Sequence, residues 1–194
     1  IGERVASELV TMHDGASAAN EVASYFFDDE GTMAHDTTVI EKGILKSGIS
    51  DLQSAMLLKT CPTGNGRRES FRRKAYTRMT NTFFEGGTNT REEMIASIQY
   101  GFLLENPQSG MEDPKNWGIQ CMVNIAREIR DGKLTGKIYS PIVLTGYVPD
   151  LLKSISMMSG EVSLCGSGMC GKGHKEWVKV SDGGPYIKAK IRLG

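Results

Sequence analysis

Gly118-Ile119-Gln120-Cys121-Met122-Val123-Asn124-Ile125-Ala126-Arg127-Glu128-Ile129 is the stretch on which the fold turns. Ile119, Cys121, Val123 and Ile125 fall on one side of an extended chain, and Gln120, Met122 and Asn124 on the other. A period of two marks a strand. Asp131-Gly132-Lys133 supplies a tight turn into a second strand that runs to Ser140, so the segment reads as an antiparallel hairpin.

The same reading extends outward in both directions. Thr37 to Ile49 is expected to be a hairpin turning at Glu41-Lys42-Gly43. Strands are expected over Ser7–Asp14, Glu21–Phe27 and Arg78–Phe84, with Glu176–Val180 and Tyr186–Leu193 paired through the turn at Ser181–Pro185. Ser50-Asp51 caps a helix to about Leu58, and Thr90-Arg91-Glu92-Glu93 is a capping box opening a helix to Tyr100. Tyr147 to Met158 has the spacing of a third helix. Cys61–Lys74 and Asn106–Asn116 read as loops. The fold class is therefore α+β: mainly antiparallel β-sheet with two or three covering helices, in a single domain spanning 1–194.

Composition narrows the function classes. The chain has 194 residues, with 23 basic and 23 acidic side chains, so a globally basic nucleic-acid binder is not indicated. No apolar run approaches the roughly 18 residues of a membrane helix. Four cysteines give no dense disulfide framework, and a reducing, cytoplasmic setting is expected. The opening Ile1-Gly2-Glu3-Arg4 carries neither an initiator Met nor a signal-peptide pattern, and an upstream segment is expected.

Three segments could carry chemistry. Cys165-Gly166-Ser167-Gly168-Met169-Cys170-Gly171-Lys172-Gly173 has four glycines in nine residues, which lets backbone approach a ligand closely. Lys172 beside Cys170 would favour the thiolate, the form that binds metal. The same stretch also reads as a glycine-rich turn with a half-buried thiol, or as a redox pair of Cys165 and Cys170. His174 is near enough in sequence to share a site with Cys170. The loop from Thr63 to Lys74 is cationic, and Arg67 or Arg68 could hold a substrate carboxylate in bidentate fashion. It is not a phosphate-binding P-loop, and a solvated loop with internal Arg–Glu pairs is the plainer reading. Asp28-Asp29-Glu30 lacks calcium-loop spacing and reads as a turn.

Several of these segments together resemble one family. Ser7-Glu8-Leu9-Val10-Thr11, Asp28-Asp29-Glu30-Gly31-Thr32 and Ile40-Glu41-Lys42-Gly43-Ile44-Leu45-Lys46 come in order. Pro62-Thr63-Gly64-Asn65-Gly66-Arg67-Arg68-Glu69-Ser70, Arg78-Met79-Thr80-Asn81-Thr82 and Cys170-Gly171-Lys172-Gly173 follow. The set resembles the C-terminal part of the TldD/PmbA metallopeptidases, the "modulator of DNA gyrase" family, on its TldD-like branch. The resemblance implies a zinc-dependent peptidase of peptide or unfolded-protein substrates. A His-Glu-x-x-x-His helix upstream would supply two metal ligands and a glutamate base that deprotonates a metal-bound water. Cys170 would be a further ligand, His174 an additional candidate, and Asn65, Arg67 and Arg68 substrate-binding residues. No catalytic residue is expected within these 194 positions, and the chain alone is expected to be inactive and to hold no zinc. A homo- or heterodimer with a TldD/PmbA-type subunit is expected, without nucleic acid or membrane. The alternative is a non-catalytic, PmbA-like binding subunit.

Overall fold

The computed structural model describes residues 1–166, 168–172 and 176–194. The first part of the chain gives β1 (Met12–Asp14), the hairpin β2 (Thr37–Glu41) and β3 (Ile44–Leu45), and helix α1 (Leu52–Leu58). Two short paired strands follow, β4 (Gly66–Arg67) and β5 (Tyr76–Thr77), then β6 (Asn81–Phe84) and helix α2 (Arg91–Ala96). The centre holds β7 (Tyr100–Glu112), β8 (Gly118–Arg130), β9 (Lys133–Tyr139), β10 (Ile142–Tyr147) and helix α3 (Val148–Lys153). The last part adds β11 (Met157–Met158), β12 (Ser163–Cys165), β13 (Met169–Lys172) and β14 (Glu176–Lys179). β15 (Ser181–Gly184), β16 (Ile187–Lys188) and β17 (Arg192–Leu193) end it.

Mostly antiparallel strands with three short helices make this an α+β fold. The alternating stretch forms β8, the spine of a five-stranded sheet. β7 covers one edge of β8 along its length. The other edge is shared, with β9 on Ala126–Arg130 and β10 on Gly118–Val123. A six-stranded sheet runs in the order β12-β15-β6-β1-β2-β3, with β15 parallel to β6. Its inner face packs with α3 and the β11–β16 pair around Ala6, Val10, Ile40, Ile155 and Met158. At the β2–β3 turn, Gly43 has φ +81°, and a Cβ there would sit 2.5 Å from the Ala6 carbonyl oxygen. Only glycine fits that turn.

Both capping signals hold. The Asp51 carboxylate accepts from the Ser54 amide and the Ser54 hydroxyl accepts from the Asp51 amide, a reciprocal cap on α1. Thr90 and Glu93 do the same for α2.

The structure corrects several element boundaries. Of the Ser7–Asp14 stretch only Met12–Asp14 is strand, and Glu21–Phe27 is irregular apart from one bridge between Phe27 and Met33. α2 stops at Ala96 because Tyr100 already belongs to β7. The expected loop from Asn106 is largely strand: β7 runs on to Glu112, with a register shift between Pro107 and Ser109. Pro107 is tolerated because β7 is an edge strand. α3 ends at Lys153, since Met157–Met158 pair with Ile187–Lys188. The proposed pairing of Glu176–Val180 with Tyr186–Leu193 does not form. β14 pairs with β13, and Ser181–Gly184, expected as a turn, is strand β15 between β12 and β6. A Cβ on Gly183 would collide with the Ser163 carbonyl of β12, so glycine there serves strand packing and not a turn. Among the described residues, no helix is long and apolar enough to cross a membrane.

Candidate functional site

The segments singled out for chemistry converge on the β4–β5 loop and the β13–β14 hairpin above it. Beneath both lies a buried polar lattice. The Asp14 carboxylate, 2% exposed, accepts from Asn65 Nδ2 at 2.7 Å and from the amide and hydroxyl of Thr80 at 3.1 and 2.8 Å. Thr82 also donates to it. Asn65 is fully buried. Its amide also donates to the Arg78 carbonyl at 3.0 Å, and its Oδ1 accepts from Thr63 at 2.7 Å. Every buried side-chain polar atom among the described residues has a partner, so the lattice is stable without an added ion.

Two arginines rise from this base and clamp the hairpin. Arg78 is 2% exposed and donates to the Glu176 carbonyl at 3.0 Å and to the Cys170 carbonyl. Those residues lie on opposite strands of the hairpin, so one guanidinium sets both. Arg67 donates to the Met79 carbonyl at 2.7 Å and to the Lys179 carbonyl at 2.6 Å, with its guanidinium over the Tyr25 ring. Burial draws the Arg67 pKa below its ordinary value, yet a guanidinium stays charged in proteins. Burial pushes the Tyr25 phenol far above its ordinary value, so it remains neutral and donates to the Gly64 carbonyl. Lys172 donates to the Thr77 carbonyl at 3.1 Å.

The acidic turn braces the same loop. Asp28 accepts from the Glu30, Thr32 and Gly66 amides. Asp29 accepts from the Arg68 amide and pairs with its side chain at 3.5 Å, and Glu30 accepts from the Leu52 amide at the start of α1.

The candidate residues thus have distinct placements. Asn65 is enclosed and can reach a ligand only through the groups that it holds. Arg67 is engaged with main-chain carbonyls. Arg68 is partly exposed beside Asp29. Cys170 is partly exposed, and among the described residues its thiol makes one long contact, 3.8 Å to the Gly171 carbonyl. His174 lies outside the described residues. Cys165 sits on β12 of the six-stranded sheet while Cys170 sits on the separate hairpin. Asp14 and Arg78, which hold the arrangement together, carry no role in the sequence reading. Arg78 opens the matching segment Arg78–Thr82, whereas Asp14 lies outside every matching segment.

Among the described residues, no group of three or more His, Cys, Asp or Glu side chains is placed to hold a metal ion. Zinc takes three or four protein ligands. The residues described here therefore do not fit that metal by themselves.

Residues 1–192 match the family described as "PmbA/TldA metallopeptidase C-terminal domain". A Metalloprotease TldD homolog of Buchnera aphidicola is 36% identical over 199 residues, covering 100% of this chain and 40% of that protein. A Zinc metalloprotease TldD homolog of Saccharolobus solfataricus is 30% identical, covering 99% of this chain and 43% of that protein. Among solved structures, TldE from Thermococcus kodakarensis superposes with a TM-score of 0.77 at 26% identity, over 98% of this chain and 40% of that one. The chain belongs to the TldD/PmbA metallopeptidase family, as a C-terminal domain. It spans about two fifths of the length of these relatives.

Proposed function

We propose that this chain is the C-terminal part of a zinc-dependent peptidase that cleaves peptide or unfolded-protein substrates. Cys170 contributes one thiolate ligand, and the surface around Arg68 helps to hold the substrate. The observation that carries this reading is the Arg78 clamp: the strand bearing Cys170 is fixed through its own carbonyl by a buried cation, while the thiol stays accessible. Such fixing is what a ligand position requires, because a loose donor loses the geometry that a metal selects. One thiolate fills one of the positions that zinc needs, so the remaining ligands come from outside this chain, and the chain alone is inactive.

Asn65 and Arg67 shape the substrate-binding loop and Arg68 faces substrate. The working protein is a dimer with a TldD/PmbA-type subunit in the cytoplasm, engaging neither nucleic acid nor membrane. The test is Cys170→Ser in the full-length protein, with zinc content and peptide hydrolysis both measured. Both should fall to background. Retention of zinc and activity would remove Cys170 from the ligand set.

A second reading is a non-catalytic, PmbA-like binding subunit, since the matched family takes in PmbA as well. The sequence upstream of Ile1 decides between them. A His-Glu-x-x-x-His helix supports the peptidase, and its absence supports the binding subunit. The placement of Cys165 and Cys170 on different sheets speaks against a dithiol switch.

A further inference from the structure

Away from the Cys170 hairpin, the five-stranded sheet, α2, α3 and the C-terminal segment line a half-open cavity of about 770 Å³. That is within the size range of small-molecule sites. Its walls are apolar, with Ile98, Phe102, Leu144, Leu151, Ile191 and Leu193 among them. Three lining residues are cations (Arg91, Lys188 and Lys190) and none is a carboxylate. Two of those cations are already placed. Arg91 lies over the Tyr186 ring and 3.7 Å from Glu105, and Lys188 donates to the carbonyl and hydroxyl of Ser97.

We infer that this cavity is a binding site for a small molecule with an unbranched apolar chain and a terminal carboxylate, the chain lying along the Phe102–Leu144–Leu151 wall and the carboxylate meeting Lys190. The apolar wall favours a body without amides, since a peptide threaded there would leave its N–H and C=O groups unpaired. Among the described residues Lys190, unlike Arg91, makes no ion pair, and its charge sets the sign of the polar end. This site is independent of Cys170 and of any metal.

The probe is a series of hexanoate, octanoate and decanoate, titrated calorimetrically into the full-length protein below the micelle concentration. Each added methylene should tighten binding roughly fourfold while it is buried. Decanol should bind more weakly than decanoate. Lys190→Glu should erase that preference and leave decanol binding unchanged. Leu151→Trp, which fills the cavity, should abolish both, and retained decanoate binding in a folded Leu151→Trp protein would overturn the assignment. So would the absence of saturable decanoate binding, a flat chain-length series, or decanol binding as tightly as decanoate. Tighter binding of acetyl-Leu-Leu-Leu than of decanoate would give the cavity to a peptide terminus and equally overturn it.

Discussion

Arg78 is the residue on which the candidate site rests. Its two carbonyl partners lie 92 and 98 positions further along the chain. Arg78→Ala leaves those carbonyls without their donor and should cost on the order of 2–4 kcal/mol in denaturant unfolding. Arg78→Lys keeps the charge without the fork and should fall between, and a wild-type midpoint for Arg78→Ala would show that the clamp is idle. His13 offers a pH prediction. Burial works against its charged form, but hydrogen bonds to Glu85 and Asp36 and their negative charges together raise its pKa above the ordinary 6.5. Its contribution to stability is then complete below about 6.5 and is lost as pH rises through the higher folded value. Melting curves at acidic and mildly alkaline pH should show a larger loss for the wild type than for His13→Gln. Equal losses would exclude the pairing as a source of stability. At this scale the sequence displayed Cys170 and the cationic loop, but not Asp14 or Arg78. Their partners are distant groups, several of them main-chain atoms, and no local spacing reveals such partners.

Elements defined by local chemistry were legible, and those defined by distant partners were not. The alternation of β8 as far as Val123, the Asp131-Gly132 turn and the two helix caps act within a few residues, and these appear as read. Thr90→Ala should therefore lower stability by about 1 kcal/mol, with the loss visible in the melting temperature. Gly43→Ala should cost more, because the turn combines a positive φ with a clash on the Ala6 carbonyl. A neutral result would mean that the hairpin can shift away from the irregular segment that holds Ala6. The C-terminal strands were misread for the opposite reason. Met157–Met158, Ser181–Gly184 and Ile187–Lys188 are short, and each is a strand only because a partner elsewhere supplies its hydrogen bonds.

For the whole molecule, the family and the α+β class followed from the sequence, while the division into two principal sheets did not. α1 presents Met56, Leu57 and Leu58 to solvent at 69–78% exposure. An apolar helix face of this kind favours association. The isolated chain should show concentration-dependent self-association by sedimentation velocity, and Met56→Lys with Leu57→Lys should reduce it. An unchanged profile would clear the helix. One feature also governs the order of assembly. β15 lies parallel to β6 and pairs Ser181 with Asn81. The β7–β8–β9–β10 run closes between sequence neighbours, a local route that folds early. The six-stranded sheet, by contrast, is bridged only when residues 181–184 arrive. During synthesis, then, the chain must be made through Lys179 before Arg67 and Arg78 find all of their carbonyls, so the Cys170 hairpin gains its native shape only after the β7–β10 run is complete.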